Sequence, residues 1–265
     1  MNIWTQKSIE LANQRNYLDL LYQVYPISPN LKREIGEDDF NLIQKYHNDR
    51  NPEILSILLR QEIFPIKDSY VAYLKHDNSA ILRNPNTINR LLGLIYQMSF
   101  DKIIDNITAP KETNRQIGPM FKSWVNNFLA YPKTNNVDEF LSYQNGTIIF
   151  NSSDENMKNL AITYFGYNRP DKGLDFIAKN GNNIYLSEAK FLTDFGGHQN
   201  GQFTDAITTM QTPLLPNDFV VKTIAILDGV LYIPNNGKMY RVLSSFADDE
   251  VVISAILLND FLCTI

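Results

Sequence analysis

The sequence lacks several features that would have narrowed its chemistry. One cysteine, Cys263, occurs in 265 residues, so an internal disulfide framework and a cysteine-based zinc site are both excluded. Of three histidines, His47 and His76 lack ligand spacing with any other His or Cys, and neither is assigned a role. No apolar run approaches the roughly 18 residues of a membrane span. The opening Met1-Asn2-Ile3-Trp4-Thr5-Gln6-Lys7 also lacks the unbroken apolar stretch of a signal peptide. The expected location is the cytoplasm. Positive charge is not in excess either: the formal net charge is −5, which counts against a surface that is basic throughout. Its distribution is uneven, with 15 basic against 14 acidic side chains in residues 1–130 and 9 against 15 in residues 131–265. A basic cleft is compatible with those counts. Neither an internal repeat nor a low-complexity tract is visible.

What is present is an ordinary globular balance, 44% apolar and 20% charged, in a length that suits one or two domains. The first ~105 residues predict helices separated by proline-marked breaks. Asn51-Pro52 is a start signal ahead of Ile54, Leu55, Leu58 and Leu59, and Asn84-Pro85 precedes Ile88, Leu91, Leu92, Ile95 and Tyr96 at helical spacing. In Lys67–His76 aromatic and basic residues interleave; Tyr70 and Tyr73, three apart, suit helix packing. Gly118-Pro119 predicts a further helix start, with Trp124 and Phe128 on its apolar stripe. From about residue 145 the character changes. Strands are expected at 147–150, 220–226, 230–233 and 251–258, and helices at 156–164 and from Gly196-Gly197 to Met210. Helices first and a mixed sheet after imply a mixed α/β core over 107–265, joined to a helical region over 1–106.

The informative stretch runs from Gly173 to Lys190. Two β-prone runs, Leu174–Ala178 and Ile184–Lys190, flank Asn180-Gly181-Asn182-Asn183. A Gly-X turn at Gly181-Asn182, of type II′, pairs Asn180 with Asn183 and sets Asp175 opposite Glu188. Strand alternation then puts Lys190 on the face of Glu188. A turn at Asn180-Gly181 would shift the register by two and keep all three together; only a bulge or an odd loop would part them. Two facing carboxylates repel, and folding gives no reason for them among Leu174, Phe176, Ile177, Leu186 and Ala189. A divalent cation resolves the conflict, since Mg²⁺ takes one or two carboxylates together with water and phosphate oxygens. An adjacent lysine suits charge that develops on phosphorus.

Asp175…Glu188-Ala189-Lys190 resembles the active site of the PD-(D/E)XK nuclease superfamily, and the chain as a whole resembles a type II restriction endonuclease. The core covered is roughly 107–265. The segments Pro110–Trp124 and Phe191–Gln202 add to the likeness. The resemblance implies a restriction-endonuclease-like mixed central sheet flanked by helices, in which Asp175, Glu188 and the Ala189 carbonyl bind Mg²⁺ and Lys190 assists the attacking water. It also implies sequence-specific cleavage of double-stranded DNA to 5′-phosphate ends and a companion DNA methyltransferase. With one site per chain and two strands to cut, a homodimer is expected. The literal Pro-Asp pair is Pro170-Asp171, and Asp171 lies too far along an extended chain from Asp175 to share one ion. A structure-specific or repair nuclease of the same fold, or a catalytically silent DNA-binding module, are the alternatives.

Other residues stand near this stretch in sequence. His198, Gln199 and Gln202 follow the catalytic run and are candidate accessories at the scissile phosphate; Glu112 is a candidate carboxylate from the first core helix. Asn114, Arg115, Gln116 and Lys122 are candidate DNA contacts, since Arg reads guanine and Asn or Gln reads adenine in the major groove.

Overall fold

The computed structural model describes residues 1–26, 32–110, 113–234 and 237–264; of residues 113–115 the backbone alone is described. Among the described residues no helix is long and apolar enough to cross a membrane. The chain divides into two compact units, Met1–Ile27 with Thr113–Ile265, and Ser28–Glu112. Residues 1–26 therefore fold with the sheet, and the helical unit is shorter than the 1–106 region read from sequence. The first unit begins with α1 (Ile3–Ala12) and α2 (Tyr17–Val24).

The helical unit holds α3 (Glu37–Asn48), α4 (Ile54–Arg60), α5 (Ser69–His76), α6 (Ala80–Arg83), α7 (Pro85–Gln97) and α8 (Phe100–Ile107). Its core is aliphatic: Ile43, Ile54, Leu58, Leu91, Ile95 and Ile103 are all fully buried. Asp68 caps α5 through the Tyr70 N–H (2.9 Å) and Ser99 caps α8 through that of Lys102. In α5 the packing residues are Val71 and Leu74, whereas Tyr70 and Tyr73 are 63% and 61% exposed. The three-residue spacing of the tyrosines marks the outer face of the helix, not the packed one.

The sheet-bearing unit continues with α9 (Thr113–Phe128), β1 (Lys133–Thr134), α10 (Val137–Ser142), β2 (Thr147–Phe150) and α11 (Asp154–Tyr164). The hairpin follows as β3 (Phe176–Asn180) and β4 (Asn183–Leu192), then α12 (Gly197–Met210), β5 (Val220–Gly229), α13 (Lys238–Ser245), β6 (Val252–Ile253) and α14 (Leu258–Cys263). The strands form one six-stranded sheet in sequence order. The β2–β3 and β3–β4 pairs are antiparallel, and β1–β2, β4–β5 and β5–β6 are parallel. Mixed α/β architecture is thus observed as expected. On one face Phe176, Ala178 and Tyr185 join Phe121, Trp124 and Val125 of α9 in a common core; on the other Ile177, Ile184 and Leu186 pack with Met157, Leu160 and Ala161 of α11.

Four local expectations differ from the structure. Helix α9 begins at Thr113, six residues before the proline taken as its start. Pro119 removes one helical hydrogen bond, but Ile117 and Phe121, four apart across it, are both buried and hold the chain helical. Phe128, assigned to the stripe, is 70% exposed at the helix end. Residues 230–232 form a 3-10 turn instead of a strand, because Gly229 turns the chain at φ +99 where a Cβ would meet the Leu192 carbonyl at 2.0 Å. The last strand stops at Ile253, since Ser254 caps the turn that leads into α14.

A buried polar cluster explains why the N-terminal helices belong to the sheet. Asp228, at the end of β5 and fully buried, accepts hydrogen bonds from the Tyr25 hydroxyl after α2 (2.9 Å), the Ser254 hydroxyl (2.5 Å) and the Ala255 N–H (3.2 Å). The Tyr17 hydroxyl accepts the Gly229 N–H (3.1 Å), and Thr5 of α1 donates to the Val252 carbonyl (3.0 Å). Burial is the dominant influence on the Asp228 carboxyl; it outweighs those bonds and pushes the pKa up to about 6. Tyr17, Tyr25 and Tyr232 face it, all raised by burial first and by the carboxylate second.

A carboxyl whose pKa is higher folded than unfolded favours folding at low pH, and that contribution fades as pH rises from about 4 to about 6. Denaturation of the native chain and Asp228→Asn across this interval should differ by a slope of about 1.4 kcal/mol per pH unit. A stability difference that stays constant with pH would contradict the assignment.

Candidate active site

The hairpin turn sets the site. Gly181 has φ +57 and Asn182 has no positive φ, the pattern of a type II′ turn. Asn180 pairs with Asn183 and Phe176 with Ser187, so the register is the one read from sequence. Asp175 itself sits one residue outside the ladder, at a bend before β3. Its N–H donates to the Ser187 carbonyl (2.9 Å), whose registered partner is Phe176, as at a bulge. Its Oδ2 accepts the Ala189 N–H (2.8 Å). The carboxylate thereby takes the place of a strand carbonyl where β3 has ended and β4 runs on, which fixes its position against the longer strand.

Glu188 and Lys190 lie two apart on β4, flanked on the other side by Ala225 and Leu227 of β5. The Lys190 ammonium lies 2.8 Å from Glu188 Oε1 and 3.7 Å from Asp175 Oδ2. The three side chains therefore meet. They are mostly withdrawn from solvent, with side-chain exposures of 9% for Glu188, 19% for Asp175 and 28% for Lys190. Burial raises the Asp175 pKa, and the nearby Asp154 and Glu188 add to the rise, against the opposing pull of Lys190 and the Ala189 N–H. Burial would lower the Lys190 pKa, but the two carboxylates together raise it.

Residues that the sequence did not single out complete the surroundings. Thr209, in the last turn of α12, donates its hydroxyl to Glu188 Oε2 (2.9 Å). Tyr167 is 1% exposed, its hydroxyl makes no hydrogen bond of ordinary geometry, and it stands next to Thr209 and Glu188. Its pKa is pushed up to about 12, chiefly by burial. Asp154, at the start of α11, lies near Asp175 and is ion-paired to Lys122 of α9. A signal for Thr209 existed, since helical spacing puts it among the buried Phe203, Ala206, Ile207 and Met210. None existed for Asp154, which reads as an ordinary first-turn acid after the Ser153 cap.

Of the remaining candidates, Lys122 reaches the edge of the site through its ion pair with Asp154. Asp171 is exposed and paired with Arg169 through two bonds of 3.1 Å. Gln199 is 5% exposed and its side-chain oxygen accepts the Thr193 N–H (3.3 Å), which ties the β4–α12 connection together. Gln202 and His198 bond to each other at 3.2 Å, one turn apart on α12. Gln116 and Lys122 are on α9, and Asn114 and Arg115 are in its first turn, with side chains outside the described residues. Glu112 also lies outside the described residues.

Asp175, Glu188 and the backbone around Ala189 offer hard oxygen donors, the type that suits Mg²⁺ and not a thiol-seeking metal. A pair of carboxylates suits an ion that keeps several water or phosphate ligands; among the described residues no three His, Cys, Asp or Glu side chains gather into a group that could hold a metal. Without such an ion Lys190 is the cation that separates the two carboxylates. Lys190→Met should therefore cost the metal-free protein on the order of 3 kcal/mol in urea denaturation, and Asp175→Asn in the same background should return part of it. No loss of stability on removal of the ammonium would show that the carboxylates do not need it.

The sequence profile of a family described as the Tsp45I type II restriction enzyme matches residues 2–265, nearly the whole chain. No curated protein and no solved structure matches it. A type II restriction enzyme is a sequence-specific deoxyribonuclease that acts on DNA within a restriction-modification system, and the mixed sheet with its acidic cluster is compatible with that work. The chain belongs to the Tsp45I type II restriction enzyme family.

Proposed function

We propose that the chain hydrolyses double-stranded DNA at a PD-(D/E)XK site made of Asp175, Glu188 and Lys190, with Mg²⁺ as cofactor. The observation that carries this reading is the meeting of two carboxylates and an ammonium at one point, 2.8 and 3.7 Å apart, at the end of a short strand. Asp175 and Glu188, with the Ala189 carbonyl, would hold the ion. When bound, Mg²⁺ supplies Lewis acidity toward a phosphoryl oxygen and acidifies a water.

The protein groups then have separable tasks. Asp175 is anchored by the Ala189 N–H and Glu188 by Thr209, so neither carboxylate has to reorganise when charge builds. Lys190 points its ammonium at the same place, where it orients the attacking water and offsets negative charge on the phosphoryl oxygens. The water oxygen bonds to phosphorus as the bond from phosphorus to O3′ breaks. One water proton is lost to solvent and one reaches O3′, which leaves a 3′-hydroxyl and a 5′-phosphate. Lys122, held by Asp154 beside Asp175, is placed to exchange that partner for a backbone phosphate. Gln116, Asn114 and Arg115 on the same helix are further proposed DNA contacts; Glu112, His198, Gln199 and Gln202 are proposed accessories. The helical region contributes to DNA binding. Cutting both strands requires two such sites, so the working form is a homodimer, and a methyltransferase of matching specificity protects the host DNA.

Plasmid or phage DNA incubated with the protein and Mg²⁺ should give discrete bands. Asp175→Ala, Glu188→Ala and Lys190→Ala should each lower the rate at least a hundredfold while circular dichroism is unchanged (a loss of about 2.7 kcal/mol or more in transition-state stabilisation). Full activity in any one of the three would remove that residue from the site, and preference for branched DNA would replace the restriction reading.

A further inference from the structure

We infer that Thr209 is a positioning residue that fixes the orientation of the Glu188 carboxylate for cation binding, an inference that rests on the proposed role of Glu188 as a ligand. Thr209 is fully buried on the side of α12 that carries Phe203, Ala206, Ile207 and Met210. A hydroxyl there is unfavourable unless it is hydrogen-bonded. The usual solution in a helix is a bond to the carbonyl four residues back. The two neighbouring threonines adopt it, Thr208 with the Thr204 carbonyl (2.7 Å) and Thr212 with that of Thr208 (2.8 Å). Thr209 instead donates out of its helix, to Glu188 Oε2 (2.9 Å).

That bond divides the work of the two carboxylate oxygens. Oε1 faces Lys190 at 2.8 Å, on the side where Asp175 lies, and Oε2 is held by Thr209. The terminal torsion of a glutamate is broad and nearly two-fold, so an unrestrained Glu188 would present either oxygen, or both, to a cation. The hydroxyl selects one. Its own position is firm, since a β-branched side chain has few rotamers and the last turn of α12 is tied to the sheet by the Thr223 hydroxyl on the Met210 carbonyl (2.7 Å). Tyr167 is buried beside Thr209 and Glu188. The hydroxyl acts through Glu188, the group to which it donates.

The test reads metal binding without DNA or turnover. Mn²⁺ titrations followed by calorimetry would compare the full-length native chain with Thr209→Val, Thr209→Ser and Glu188→Gln. Thr209→Val keeps the shape and removes the hydroxyl, and should weaken binding about tenfold or more, within the range found when a group that orients a ligand is lost. Thr209→Ser keeps the hydroxyl and should stay within about twofold of the native chain by the same reasoning. Thr209→Ala takes the place of the valine variant if the latter does not fold. Unchanged Mn²⁺ affinity in the variant that lacks the hydroxyl, with binding lost in Glu188→Gln, would overturn the inference, as would a serine variant as weak as valine. Unchanged affinity in Glu188→Gln would overturn the reading of Glu188 as a ligand, a different failure.

Discussion

Two carboxylates and one ammonium share a small, largely dry volume at the point where β3 has ended and β4 continues. Like charges brought together out of water repel strongly, because little solvent remains to screen them. Lys190 keeps the arrangement tolerable in the absence of a metal, and in the proposed reading the same geometry would receive a divalent cation. The rest of the sheet-bearing unit can be understood as the support this requires. A glycine-led turn sets the register, a buried threonine on α12 and a strand amide on β4 each hold one carboxylate, and α9 and α11 place a second ion pair next to Asp175.

The short first strand of the hairpin is as important as its register. Had β3 extended to residue 174, which continues the register to Ala189, the Ala189 N–H would bond to a strand carbonyl, and the aspartate would be one more alternating side chain. Because the strand stops at Phe176, the carboxylate takes over that N–H. The aspartate is then anchored at one oxygen by the strand it faces. In the proposed reading, this interruption of regular structure supplies the preorganisation that a transition-state electrostatic site needs.

Much of this was legible in the sequence because local rules governed it. Asn180-Gly181-Asn182-Asn183 determined the turn, the turn determined the register, and strand alternation put Glu188 and Lys190 on one face. The helix of 197–210 and the strand of 147–150 were readable from periodicity and flanking glycines. What was not legible depended on tertiary partners. Pro119 reads as a helix start until Ile117 and Phe121 are known to pack on the sheet. Val230 to Ile233 reads as a strand until Gly229 is found against the Leu192 carbonyl. Thr5, Ser8, Tyr17 and Tyr25 do not look like core residues, yet they join α1 and α2 to β5 and β6 through the buried Asp228 cluster. Asp154 and Tyr167 come to the site only through the fold.

Diffraction from crystals grown with Mn²⁺, recorded at the manganese absorption edge, would locate the ion by its anomalous signal. The account requires a peak within coordination distance, about 2.0–2.3 Å, of carboxylate oxygens from both Asp175 and Glu188, with the Lys190 ammonium displaced from between them. A peak confined to another part of the chain, with the lysine still bridging both carboxylates, would contradict it.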